Sequence, residues 1–211
     1  MDKVNWVLMD LNDLSSCIKA IEEVKPDYVY HLGAQSSVPA SFIYPAETIQ
    51  TNGIGALNLL EAIRINIQHG LVKNEQLDKF NPTIIVVSSS EVYGQVSEDK
   101  LPITEETALS PNNPYAVGKI TEDMIGLVYW KNYQLNIIRT RLFTHSGPRR
   151  TMMSAECFYA KRIAEIEKYN VSLLSLFDGD NQVIKMGNMK SIRTWADVRD
   201  AVRAYNMLAR N

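Results

Sequence analysis

Thr83-Ile84-Ile85-Val86-Val87 is an unbroken apolar run of strand length. A strand with one face in water alternates polar and apolar residues, so a continuous run belongs to a central strand covered on both faces. Its neighbours fit that role. Short apolar stretches at Val4–Met9, Tyr28–Leu32 and Leu135–Arg141 alternate with helical patterns at about Leu14–Val24, Ala46–Gln68 and Tyr115–Lys131. In the second of these helices Leu59, Leu60 and Ile63 share one side. Strands alternating with helices predict an α/β chain with a doubly wound parallel sheet. The remainder is less regular, with a helix near Ser154–Lys168, a strand around Asp178–Met186 and a helix from Ala196. Residues 1–150 therefore read as the sheet domain, and residues 151–211 as part of a smaller α/β portion that binds substrate.

The chemistry concentrates at the end of the apolar strand. Ser88-Ser89-Ser90-Glu91-Val92-Tyr93-Gly94 follows it, and Tyr115 and Lys119 lie about two dozen residues further on. Positions i and i+4 share one face of a helix, which sets the Lys119 ammonium beside the Tyr115 phenol. A free tyrosine titrates near pH 10, and a neighbouring cation favours its phenolate. Such a tyrosine can act as a base near neutral pH. Pro111-Asn112-Asn113-Pro114 supports a helix start here, since proline suits a first turn. The competing reading is a surface tyrosine and a solvated lysine four residues apart.

Charge and composition exclude several classes. A net charge of −2 provides no drive toward nucleic acid or an anionic membrane. No apolar run approaches the roughly 18 to 20 residues of a membrane span, and the N-terminus lacks a basic region followed by an apolar core. A cytoplasmic location is expected. Cys17 and Cys157 read as thiols, and with His31, His69 and His145 equally dispersed no metal site is expected. Asp178-Gly179-Asp180-Asn181 has the start of a calcium loop, but its twelfth position is Met189 where a glutamate is required, so a turn is expected.

These motifs come with further blocks in order. They are His31-Leu32-Gly33-Ala34-Gln35, the run Asn52–Ala62, Arg141-Leu142-Phe143-Thr144-His145-Ser146-Gly147-Pro148-Arg149-Arg150, and Gly187-Asn188-Met189 before Arg193-Thr194-Trp195. Together with the Ser-Glu turn and the Tyr-Lys pair, the series resembles the extended short-chain dehydrogenase/reductase family that acts on nucleotide sugars. The resemblance implies a Rossmann-like fold and a nicotinamide cofactor, NADP with NAD also open. Asp10, Leu11, Leu32, Gly33, Ala34, Gln35, Leu142, Tyr115 and Lys119 would hold it. It implies that the Tyr115 phenolate takes the proton of a sugar hydroxyl, usually at C4, with Lys119 at the nicotinamide ribose and Ser89 on the sugar oxygen.

Within that family, dehydratases acting on GDP-mannose carry Thr or Ser, then Ser, then Glu, a pattern that Ser89-Ser90-Glu91 matches. The resemblance thus implies a nucleotide-sugar dehydratase with Glu91 as the base at C5, and GDP-mannose as substrate. UDP-glucuronate decarboxylases have a similar Ser-Glu-Val-Tyr-Gly run, and 4-reductases, epimerases and a non-catalytic binding relative remain open alternatives. Ser90, Thr144, His145, Arg149 and Arg193 would contact substrate. Thr144 stands where relatives have Asn, and Thr194 where they have Asp. No G-x-x-G-x-x-G turn occurs in the chain. The family's first strands and turn are therefore expected to be missing, which predicts an N-terminally truncated piece of a larger enzyme. A homodimer or tetramer is implied by the resemblance.

Overall fold

The computed structural model describes residues 4–72, 80–151, 154–169, 188, 190 and 192–210. Three parallel strands, β1 (Tyr28–His31), β2 (Thr83–Val87) and β3 (Ile137–Thr140), form a sheet in that order. Val29 pairs with Ile84, and Ile84 with Ile137. Parallel neighbours need long crossovers, which α4 (Gly55–Val72) and α5 (Pro114–Tyr133) supply.

The apolar β2 run sits in the middle, and its alternate side chains face different helices. Ile84 and Val86 join Cys17, Ile21, Leu59, Leu60, Ile63 and Tyr129 in one core. Ile85 faces the other way, against Tyr205 and Ala209 of α7 (Val198–Arg210). Ile84, Ile85 and Val86 are wholly buried. Each such side chain contributes roughly 1.5–3 kcal/mol relative to exposure, which explains why no polar residue interrupts the strand.

Helix ends follow local chemistry. α1 (Leu14–Val24) starts at Asp13, whose carboxylate accepts the Ser15 N–H at 2.9 Å, and stops where Lys25 turns left-handed at φ 43°. The long helix expected from Ala46 is divided into α3 (Pro45–Ile49), a π-turn at Gln50–Ile54 and α4. A short helix, α2 (Val38–Ile43), precedes it, and Pro45 ends the continuity because it has no N–H to give the preceding turn.

The strand expected at Val4–Met9 does not form. Those residues have no ladder partner among the described ones, and Trp6 and Leu8 are 92% and 98% exposed. Among the described residues no strand pairs with the outer edge of β1. A strand exists through its partner's backbone groups, so the apolar pattern alone was insufficient. The stretch expected as a strand at Asp178–Met186, with the calcium-like turn, lies outside the described residues.

The chain divides into two compact units, Met1–Phe143 with Val202–Asn211, and Thr144–Ala201. The second contains β4 (His145–Ser146), α6 (Ala155–Tyr169) and β5 (Ala196–Asp197). β4 and β5 pair in parallel, so the helix expected from Ala196 begins only at Val198, where the Asp197 carboxylate accepts the Arg199 N–H at 2.8 Å. No described helix is long and apolar enough to cross a membrane.

Candidate active site

The C-terminal ends of the three parallel strands carry most of the residues singled out by sequence, as open α/β sheets lead one to expect. Ser88 continues β2 by donating its N–H to the Thr140 carbonyl at 2.8 Å, and its hydroxyl donates to the Lys119 carbonyl at 3.0 Å. Ser89 is extended, and its hydroxyl accepts the Glu91 N–H at 3.2 Å, capping a single turn at Ser90–Tyr93. The Ser90 N–H reaches the Leu142 carbonyl at 3.1 Å, fixing this turn to the end of β3.

Gly94 ends the turn at φ 62°, ψ −139°, and a Cβ there would stand 1.9 Å from the Ser110 carbonyl oxygen. Gly94→Ala should therefore lower stability by at least the 1–3 kcal/mol or so of a forced backbone conformation. A reduced urea midpoint measures it, and an unchanged midpoint would show that the turn does not need glycine.

Glu91 leaves this turn half-buried, and its Oε2 accepts from Asn113 Nδ2 at 3.3 Å. Asn113 is the N-cap of α5, its own Oδ1 taking the Ala116 N–H at 2.8 Å. One side chain thus starts the Tyr115 helix and holds the Glu91 carboxylate. The sequence reading passed over Asn113, although an N-cap asparagine before a proline at the first helical position is a legible signal. Asn113→Ala should cost about 1 kcal/mol in stability through the lost cap. Asn113→Asp should keep the cap but set two carboxylates against each other, and comparing the two melting temperatures separates the effects.

On α5, Tyr115 is half-buried and Lys119 is only 4% exposed. Lys119 Nζ donates to the Val87 carbonyl and to Glu122 Oε2, each at 2.8 Å. The lysine is thus anchored at the strand end instead of extending into solvent. The π-turn packs closely against α5 at two glycines. A Cβ on Gly118 would lie 2.9 Å from the Asn52 Cβ, and one on Gly53 would lie 2.8 Å from Thr121 Cγ2. Asn52, wholly buried, exchanges hydrogen bonds with the Gln35 backbone, accepting at 2.8 Å and donating at 3.0 Å.

Asp123 is a second unpredicted anchor. Fully buried, it pairs with Arg139 and, at 2.6 Å, with Arg141 Nε. Arg141 also donates to the Tyr93 hydroxyl at 3.1 Å and lies over that ring. Its guanidinium is raised above its ordinary range by the Asp123 hydrogen bond first and the Tyr93 bond second. The Ser-Glu turn, α5 and β3 are joined by this ion network.

Asp10 and Leu11 lie in the loop before α1, and Leu32, Gly33, Ala34 and Gln35 follow β1. A Cβ at Gly33 would stand 2.9 Å from Leu11 Cδ1, so these two loops meet. Leu11, Leu32, Gly33, Val7 and Met9 line part of a groove of about 330 Å³ beside β1. Its apolar walls and bare glycine backbone suit a flat ring and a closely approaching ligand. Thr144, His145, Arg149 and Arg193 belong to the second unit. Thr144 accepts the Ala196 N–H at 3.0 Å, His145 sits in β4, and Arg149 and Arg193 are exposed, the former at φ 71°.

The family described as GDP-mannose 4,6 dehydratase matches the chain over residues 1–211. The chain is 36% identical over 210 residues to GDP-mannose 4,6-dehydratase of Vibrio cholerae, covering 99% of this chain and 50% of that protein. It is 32% identical to GDP-6-deoxy-D-mannose reductase of Pseudomonas aeruginosa over 180 residues, 85% of this chain and 52% of the relative. Among solved structures, RMD from Pseudomonas aeruginosa complexed with NADPH superimposes with a TM-score of 0.80 at 31% identity, covering 98% of this chain and 63% of that one. The chain spans about half the length of the curated relatives it matches.

Proposed function

The chain belongs to the family described as GDP-mannose 4,6 dehydratase, and on that premise we propose that it carries the catalytic groups of an NADP-dependent nucleotide-sugar dehydratase acting on GDP-mannose. One observation carries the reading: the Glu91 carboxylate is hydrogen-bonded to Asn113, the residue that starts the Tyr115–Lys119 helix. A second acid–base group is thereby tied to the first, Tyr115, which oxidation or reduction at one carbon alone would not require.

The residues present are compatible with a dinucleotide. Leu11, Leu32 and Gly33 offer an apolar, close-approach surface, Gln35 is fixed by Asn52, and Lys119 supplies a cation at the strand end. When bound, the nicotinamide would accept a hydride from the sugar and later return it. Tyr115 takes the proton of the C4 hydroxyl, aided by the Lys119 charge, while Ser89 holds that oxygen. The C4 ketone acidifies the C5 proton. Glu91 removes this proton and gives one to the departing C6 hydroxyl, so that water leaves and the carboxylate is restored. Ser90, Thr144, His145, Arg149 and Arg193 are assigned to the nucleotide sugar, the arginines because a guanidinium can take phosphate oxygens bidentately. Of residues 151–211, those up to Ala201 are assigned to the substrate portion, Val202–Asn211 going with the sheet unit. A cytoplasmic location and a homodimer or tetramer complete the reading, the latter supported by Val117 and Val128, both exposed and about three turns apart on one face of α5.

The test is mass spectrometry of GDP-mannose and UDP-glucuronate after incubation with the protein as its gene encodes it and NADP or NAD. Loss of one water from GDP-mannose is expected. Loss of carbon dioxide from UDP-glucuronate, or no mass change, would overturn the reading.

A further inference from the structure

Glu122 is a wholly buried carboxyl that the reaction above does not use. It stands seven residues after Tyr115 and three after Lys119, and so continues their face of α5. Its Oε2 accepts from Lys119, whereas its Oε1 has no hydrogen-bond partner and lies 3.8 Å from His31 Nε2, also without one. The pKa of the buried Tyr205 hydroxyl is raised by burial first and by the charge of Glu122, against the lowering pull of Thr140.

Few charges compete at this spot. Lys119 and Asp123 face Glu122 from α5, His31 from β1 and Tyr205 from α7, while β2 gives the Lys119 ammonium the neutral Val87 carbonyl. From the β3 side, Arg139 and Arg141 are taken up by Asp123. Burial, aided by the Lys119 charge, lowers His31 to about 4, so its imidazole is neutral at pH 7. Burial pushes Glu122 up to about 7, against the opposing pull of Lys119. Both protonation states of Glu122 are therefore available near neutrality.

We propose that Glu122 is a positioning residue that controls how much of the Lys119 charge reaches Tyr115, its proton thereby regulating the tyrosine base. The inference rests on the reading of Tyr115 as that base. With Glu122 protonated, the ammonium is uncompensated and favours the phenolate. Once ionised, the carboxylate, two helical turns from Tyr115, opposes the ammonium field there. Seven residues span about 10 Å along a helix, and at an effective dielectric of about 20 one charge at that range moves a pKa by about one unit.

Tyr115 ionisation is followed by phenolate absorbance, each protein being referenced to its Tyr115→Phe counterpart so that the other tyrosines cancel. Glu122→Gln, equal in size and never charged, should lower the Tyr115 midpoint by about one pH unit. Coincident titrations in the two proteins overturn the proposal, even if the melting temperature falls, since a merely structural carboxyl would change stability alone. Should the variant not fold, the Tyr115 Cζ resonance of the wild-type protein must show a step where Glu122 titrates, and a flat baseline there is equally decisive. Absent turnover of any nucleotide sugar with the Tyr115 midpoint still shifted removes the dehydratase reading and leaves the Glu122 coupling standing.

Discussion

Asp123→Ala is expected to remove about 3–5 kcal/mol of folding stability, because it strands two guanidinium groups at the end of the sheet. The carboxylate is wholly buried, and its two oxygens are shared between Arg139 and Arg141, which keep 28% and 16% of their side-chain surface exposed. Among the described residues neither arginine has another ion-pair partner. Arg141 retains only Tyr93 and the Glu105 carbonyl, both neutral partners. Against a typical total of about 5–15 kcal/mol, the loss is large enough to populate unfolded chain at moderate temperature. Asp123→Asn keeps the size and one acceptor, so it should fall between alanine and wild type. The urea midpoints of the three proteins check the order. If alanine and asparagine both behave like wild type, the ion network contributes nothing net, and the joining of α5 to β3 must rest on apolar packing alone.

On the proposed function, Glu91→Gln should lower the rate of water elimination by roughly 10²- to 10⁴-fold, the usual share of a positioned acid–base group. The substitution is isosteric, and the glutamine carbonyl can still accept from Asn113, which holds Glu91 at 3.3 Å. Stability should consequently be unchanged, as should proton removal by Tyr115 at C4. Exchange of the C5 proton with deuterated solvent isolates the step, because on the proposed reading that exchange needs the Glu91 carboxylate and not the loss of water. Exchange abolished with the melting temperature intact is the expected pattern. Normal exchange in the variant would move the C5 base to another residue, and a fallen melting temperature would reduce Glu91 to a brace for the turn.

The readable and unreadable parts of this protein differ by the reach of the interaction concerned. The β2 run, α1 between Asp13 and Lys25, and the shared face of Tyr115 and Lys119 are set by residues within about one helical turn or one strand pleat of each other. Those elements stand where periodicity and end signals put them. Val4–Met9 carries the same apolar signature yet forms no strand, because a ladder needs a partner that pattern alone does not supply. β4 and β5 were missed for the converse reason. Two residues each, they carry no pattern and exist only through their pairing across some fifty positions, His145 with Ala196 and Ser146 with Asp197.

By itself, then, the sequence determined an α/β chain with a Ser-Glu turn after a buried strand and a Tyr-Lys helix behind it, since these depend on propensity, period and capping. Only the tertiary structure decided what holds those groups. Asn113 grips Glu91 across 22 positions, Asp123 collects Arg139 and Arg141 from 16 and 18 positions away, and Glu122 and His31 face each other without a hydrogen bond. Most buried polar groups need the folded chain to bring a partner within about 3 Å, and no local pattern records which partner that will be.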